Sequence, residues 1–246
     1  METKKVALIT GANRGIGFET AKQLGEKGIS VIITSRSLQS AETAAAQLVA
    51  EGIDAYGIKL DVLKAEDRVN VASFINDKFG KLDILVNNAG IAPKDTLFVK
   101  KTIETKADEF QEIFETNFFS IVYLTKELLP LLIKSDAGRI VNLSSILGSL
   151  GIHSLPENPI ADFQVLSYNA SKAALNVFTI QLAAELRDTN IKVNSAHPGW
   201  VKTELGGDEA APMSIVEGAK TSVGLATIDN DGPNGKFIHL GEELPW

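Results

Sequence analysis

Short apolar runs rich in β-branched residues recur along the chain at 5–10, 30–35, 55–60, 84–87, 139–144, 192–196 and 236–240. Between them, at 15–27, 40–50, 65–79, 107–133, 167–189 and 214–227, apolar side chains return every three or four positions. The first set has the length of strands and the second the period of helices. The short runs are apolar throughout rather than alternately, which suits strands covered on both faces. Their alternation with helices predicts a parallel sheet with helices on either side. The punctuation agrees: Gly28, Gly52 and Gly80 each follow a helical stretch, where a left-handed residue closes a helix, and Ser214 with Glu217 has the spacing of a capping box.

Segments 91–106, 148–166 and 199–213 fit neither pattern, and each follows a strand. In an open α/β sheet, ligands bind beyond the carboxyl ends of the strands, so these segments are expected to wall one site. No repeat, low-complexity tract or linker divides the 246 residues. The chain therefore reads as a single domain, 1–246, with 148–166 and 199–213 as active-site loops within it.

Composition removes several function classes. Without cysteine there is no disulfide framework and no Cys-ligated metal, and His153, His197 and His239 are too scattered to suggest a metal cluster, so none is expected. Lys plus Arg at 24 against Asp plus Glu at 31 gives a net charge of −7, which disfavours a nucleic-acid partner. The apolar runs fall far short of the ~20 residues that span a bilayer. Residues 1–5 lead into only a brief apolar run rather than a signal-peptide core, so no membrane partner and a cytoplasmic location are expected. The sequons at Asn142 and Asn169 are then chance matches.

The first run leads straight into Thr10-Gly11-Ala12-Asn13-Arg14-Gly15-Ile16-Gly17, which opens a helix. Glycines there let the backbone approach a pyrophosphate, and the helix N-terminus offers free N–H groups to it. The spacing Gly-x-x-x-Gly-x-Gly is followed in order by Leu60-Asp61-Val62, Asn87-Asn88-Ala89-Gly90 and Pro198-Gly199, each after a strand. In combination these stretches resemble the short-chain dehydrogenase/reductase family over essentially the whole chain. The resemblance implies an α/β fold: one Rossmann-type doubly wound domain, with a seven-stranded parallel sheet and helices on both faces. It also implies a cofactor groove of Gly11, Asn13, Arg14, Gly15, Ile16 and Gly17. By the same resemblance Asp61 and Val62 flank the adenine, and Asn88, Ala89 and Gly90 pass under its ribose. Pro198, Gly199, Val201 and Thr203 lie on the nicotinamide side. Asn87 has a second reading, as a tie between strands.

Charge bears on the cofactor. An acidic residue about 20 positions past the glycine loop would bond a ribose 2′-hydroxyl. Here that place is held by Arg36, and no Asp or Glu occurs from 29–39. Arg36 and Arg14 can both face a 2′-phosphate, so NADP(H) is expected; two solvated surface arginines are the alternative.

Tyr168-Asn169-Ala170-Ser171-Lys172 falls in a helical stretch, where its spacing puts Tyr168 and Lys172 on one face. An ammonium beside the phenol is expected to lower its pKa from ~10 by a few units, readying it for proton exchange near pH 7. Ser144-Ser145 ends the fifth strand, and Asn117 lies within the stretch 107–133. The set resembles the family's catalytic tetrad. By that resemblance Tyr168 is the acid in reduction and the base in oxidation, and Lys172 tunes it and bonds the nicotinamide ribose. Ser145 bonds the carbonyl oxygen, with Ser144 the alternative, and Asn117 holds a water in a relay to Lys172.

Within the family the closest likeness is to the carbonyl reductases and the related plant reductases of terpenoid and alkaloid ketones. It is carried by Asn117-Phe118-Phe119, Pro198-Gly199-Trp200-Val201-Lys202-Thr203, Glu217-Gly218-Ala219-Lys220-Thr221 and Gly232-Pro233-Asn234-Gly235-Lys236-Phe237. This implies reversible, NADPH-dependent reduction of a small ketone or aldehyde. The 23-residue step from Ser145 to Tyr168 is longer than in the short oligomeric reductases and shorter than in the monomeric animal carbonyl reductases. Segment 151–166, with Pro156 and Pro159, is expected to form a flap that favours a monomer over a homo-oligomer. Trp200 stacks on an apolar substrate or packs its own loop; Leu97, Phe98, Ile146, His153 and Trp246 are weaker candidates. Two other readings stand beside this one. A non-catalytic NADP(H) sensor would be expected to lack one of the four residues, and a sugar-nucleotide epimerase or dehydratase needs more chain after Val201 than is present.

Overall fold

A computed structural model describes residues 4–93, 101–205 and 210–246. The strands are β1 (Val6–Ile9), β2 (Ser30–Ser35), β3 (Ala55–Lys59), β4 (Ile84–Asn87), β5 (Arg139–Leu143), β6 (Lys192–Ala196), β7 (Phe237–His239) and β8 (Glu242–Glu243). The helices are α1 (Gly15–Glu26), α2 (Leu38–Ala50), α3 (Ala65–Phe79), α4 (Ala107–Phe114), α5 (Ser120–Leu132), α6 (Leu150–His153), α7 (Leu166–Glu185) and α8 (Ile215–Ala226). All eight strands join one sheet in the order β3-β2-β1-β4-β5-β6-β7-β8.

Neighbouring residues of the central strands enter opposite cores. Ile9, Ile33 and Val86 pack on one face with Leu24 and Leu48, while Leu8, Ile32 and Leu85 pack on the other with Val71, Leu124 and Leu128. Both faces are covered, which is why β1 and the middle of β2 and β4 are apolar at successive positions; each fully buried side chain contributes roughly 1.5–3 kcal/mol.

Three expectations need correction. The first seven strands are parallel as expected, but the sheet gains an eighth, antiparallel strand. Leu240 at φ 47° and Gly241 at φ 94° turn the chain back on itself, the left-handed pair of a two-residue hairpin. The expected helix 107–133 is also divided, by a π turn over Glu115–Phe119, and the loop 148–166 contains the short α6.

The strand order reverses about β1, between β2 and β4, which opens a crevice at their carboxyl ends. A buried polar chain crosses the sheet beneath it. Asn87 Nδ2 donates to Asn142 Oδ1 (2.8 Å), Asn142 Nδ2 to Thr179 Oγ1 (2.9 Å), and Thr179 Oγ1 meets Ser195 Oγ (2.9 Å). Asn87 is thus a strand tie.

Candidate active site

The glycine loop and the turn after β4 are stitched together at the crevice. Thr10 Oγ1 accepts from the N–H groups of Asn88 and Ala89, both at 2.9 Å, and Asn88 Nδ2 donates to the carbonyls of Thr10 (2.8 Å) and Gly11 (3.1 Å). The stitching leaves no room at Gly17, where a Cβ would stand 2.5 Å from Asn88 Nδ2 and 2.8 Å from Gly11 O. Gly17→Ala is therefore expected to lower stability by about 1–3 kcal/mol and to weaken nicotinamide-cofactor binding, read by thermal denaturation and fluorescence titration. A variant with unchanged melting temperature and cofactor affinity would contradict this packing.

At the mouth of the loop, Arg14 is the N-cap of α1 and its side chain makes no cap bond. Gly15 sits at φ +59°, and among the described residues a Cβ there would meet only the Thr203 methyl, at 3.8 Å. A helix N-terminus facing a gap of this kind suits a diphosphate, so the residues present fit a dinucleotide. Asp61 and Val62, after β3, are held by two side chains that the sequence reading did not single out. Asp67 Oδ2 accepts from Asp61 N (2.9 Å), and Arg68 donates to Val62 O (2.7 Å).

At the reacting end, Tyr168 and Lys172 lie one turn apart on α7, and both are buried. Ser145 is the residue of the serine pair whose hydroxyl acts on the Tyr168 phenol, drawing its pKa down, and its Oγ accepts from Leu147 N at 3.2 Å. Ser144 is internal scaffold, with its Oγ donating to Asn176 Oδ1 at 2.6 Å. Lys172 Nζ donates to Leu143 O (2.7 Å) and lies 5.7 Å from the centre of the Tyr168 ring. The expected depression of the phenol pKa is absent: burial pushes Tyr168 up to about 12, against the opposing influence of the Ser145 hydroxyl. Burial also pulls Lys172 down to about 8. The ammonium points at a backbone carbonyl instead of the phenol oxygen, so desolvation decides the sign.

Asn117 sits in the π turn. Its Oδ1 accepts from Ile91 N (2.8 Å), and its Nδ2 donates to Ile91 O (2.9 Å) and Ser171 Oγ (3.1 Å). The side chain clamps the segment after β4 to α7. A Cβ on Gly90 would stand 3.3 Å from Asn117 Oδ1 and 3.6 Å from Lys172 Nζ, so Gly90, Asn117 and Lys172 share one corner.

The short chain dehydrogenase family profile matches residues 5–213. The chain belongs to the short-chain dehydrogenase/reductase family. It is 37% identical to a short-chain dehydrogenase of Penicillium roqueforti, over 92% of this chain and 89% of that one. It is 32% identical to (−)-isopiperitenone reductase of Mentha piperita, over 99% and 98%. Among solved structures it resembles an NADPH-bound carbonyl reductase from chicken fatty liver, with a TM-score of 0.83, 27% identity and coverage of 99% of each chain. It is accordingly an oxidoreductase of the short-chain family.

Two loops of this short-chain oxidoreductase meet through aromatic rings. Trp200, after β6, packs edge-on against Phe163 of the flap, with centroids 5.7 Å apart. That contact joins 199–205 to 148–166, and Phe163 was not among the candidates read from sequence. Trp246 stacks on Phe237 at 5.7 Å, and its carbonyl accepts from Gly151 N at 2.6 Å, so it supports α6. His153 Nε2 bonds Leu147 O at 3.0 Å. Arg36 is exposed just after β2, while Arg14 pairs with Glu204 across the groove. Leu97 and Phe98 lie outside the described residues, as do 206–209 of the second loop. No helix among the described residues is long and apolar enough to cross a membrane.

Proposed function

We propose that this short-chain oxidoreductase reduces a small ketone or aldehyde to the alcohol with NADPH, reversibly, within one domain spanning 1–246. The observation that carries the reading is the buried Tyr168 side chain, one helical turn from the buried Lys172 whose Nζ lies beside Gly90 at the glycine-loop crevice. The cofactor would be held by Gly11 to Gly17, Asp61 to Val62, Asn88 to Gly90 and the 198–203 turn, and when bound it supplies hydride to the carbonyl carbon. Tyr168 and Ser145 hold the substrate oxygen between two hydroxyls, and Tyr168 gives up its proton as charge develops there. A pKa of about 12 keeps Tyr168 protonated across the ordinary pH range, so the proton is in place before each turnover. Lys172, fixed by Leu143 O, keeps a positive charge near the tyrosinate that forms. The sensor reading leaves this set of hydroxyls without a use.

NADPH loss followed by absorbance against aromatic ketones, aldehydes, quinones and monocyclic terpenones, with NADH in parallel, tests the proposal. Turnover with NADPH is expected; cofactor binding without turnover on any carbonyl would contradict it. For cofactor choice, Arg36→Ala is expected to raise the KM for NADPH about tenfold, the loss of one charge-assisted bond, and to leave that for NADH within about twofold. Equal effects on the two cofactors would remove Arg36 from 2′-phosphate recognition.

A further inference from the structure

His197 follows β6 directly and is 8% exposed. Its N–H bonds Ile238 O at 2.8 Å, and its carbonyl accepts from His239 Nδ1 at 2.9 Å. With the backbone pinned, its ring Nδ1 faces two amides from different loops, Ile146 N at 3.3 Å and Gly199 N at 3.4 Å. Both amides are donors, so Nδ1 is the bare lone pair and the ring proton belongs on Nε2. Burial, reinforced by His239 with its ring centre 4.8 Å away, lowers the His197 pKa to about 3, which keeps the ring neutral. Gly199 is seated against the same cluster: at its φ of +87°, a Cβ would collide with Met213 Sδ and stand 3.2 Å from His239 Cε1.

We propose that His197 is a positioning residue for the reaction, its Nδ1 tying the backbone just after Ser145 to the Pro198–Gly199–Trp200 turn. The hydroxyl that meets the substrate oxygen and the wall that carries Trp200 are thereby held in one register. The inference rests on the reductase reading for the role of Ser145, and on geometry alone for the clamp.

Three variants separate this role from simple packing. Asn places Oδ1 where Nδ1 stood, Gln places its oxygen one bond further out, and Phe keeps a ring without an acceptor. With a misplaced loop as the defect, His197→Phe and His197→Gln are expected to lose roughly tenfold or more in kcat, while His197→Asn stays within about threefold of wild type and the KM for NADPH moves less. Nitrogen NMR of the wild-type ring is expected to show an unprotonated Nδ1, with amide exchange at Ile146 and Gly199 faster in the Phe variant. Near wild-type kcat in Phe or Gln, equal losses in all three with unchanged melting temperature, or a protonated Nδ1 would each overturn the proposal. Should Phe fail to fold, Asn against Gln decides by the same criterion. If the wild-type protein reduces no carbonyl, the reductase reading falls, and the NMR result still decides the clamp.

Discussion

Tyr168→Phe is expected to remove carbonyl reduction while leaving cofactor binding intact. The phenyl ring fills the same buried space on α7, and Ser145 keeps its bond from Leu147 N, so the variant loses one hydroxyl and little else. A lost buried hydrogen bond costs about 1 kcal/mol of stability, too little to unfold the protein. The kinetic cost is larger, because a positioned proton donor accounts for roughly 10²–10⁴ in rate. The variant should therefore bind NADPH by fluorescence titration with near wild-type affinity and show kcat reduced by about that factor. A Phe variant retaining more than about a tenth of wild-type kcat would take the proton from elsewhere and dismiss Tyr168.

Lys172→Met is expected to produce opposite effects on activity and stability. Lys172 is buried, and burial brings its pKa from 10.5 to about 8. A displacement of that size corresponds to about 3 kcal/mol against burying the protonated form. Met has similar length and no charge, so relief of that cost exceeds the loss of the Leu143 O bond by about 1–2 kcal/mol. Below pH 8 the variant should therefore melt above wild type. The folded pKa lies below the unfolded one, so between about pH 8 and 10.5 the unfolded chain holds more protons and wild-type stability rises with pH. The advantage of the Met variant should shrink over that window, while its kcat falls by roughly 10²-fold or more for want of the charge beside Tyr168. A Met variant that melts lower at pH 7, or that retains full activity, would contradict this balance.

Much of the framework was legible because it obeys local rules. Strands covered on both faces show as unbroken apolar runs, and the closing turns at Gly28, Gly52 and Gly80 all have positive φ. The capping box at Ser214 and Glu217 is present. What escaped the reading has physical reasons. β8 consists of two exposed glutamates without an apolar signal, made by a turn at Leu240 and Gly241. The π turn at Asn117 shifts hydrogen bonds without changing which residues are apolar. In the site, the Tyr168–Lys172 spacing was readable, since four residues return to one helix face. The sign of the Tyr168 shift was not, because it depends on burial and on where Nζ points. Arg14 with Glu204, and His197 with Ile146, join positions far apart in sequence, and local pattern carries no trace of such pairs.

Deuteride transfer would show directly whether hydride passes from the nicotinamide to a carbonyl carbon with Tyr168 as proton donor. NADPH deuterated at the reactive nicotinamide carbon would be incubated with the carbonyl that turns over fastest, and the alcohol analysed by mass spectrometry for wild type and Tyr168→Phe. The account predicts one deuterium on the carbinol carbon of the wild-type product and almost no alcohol from the variant. Bound NADPH with no labelled alcohol from any carbonyl, or equal labelling by the variant, would contradict it.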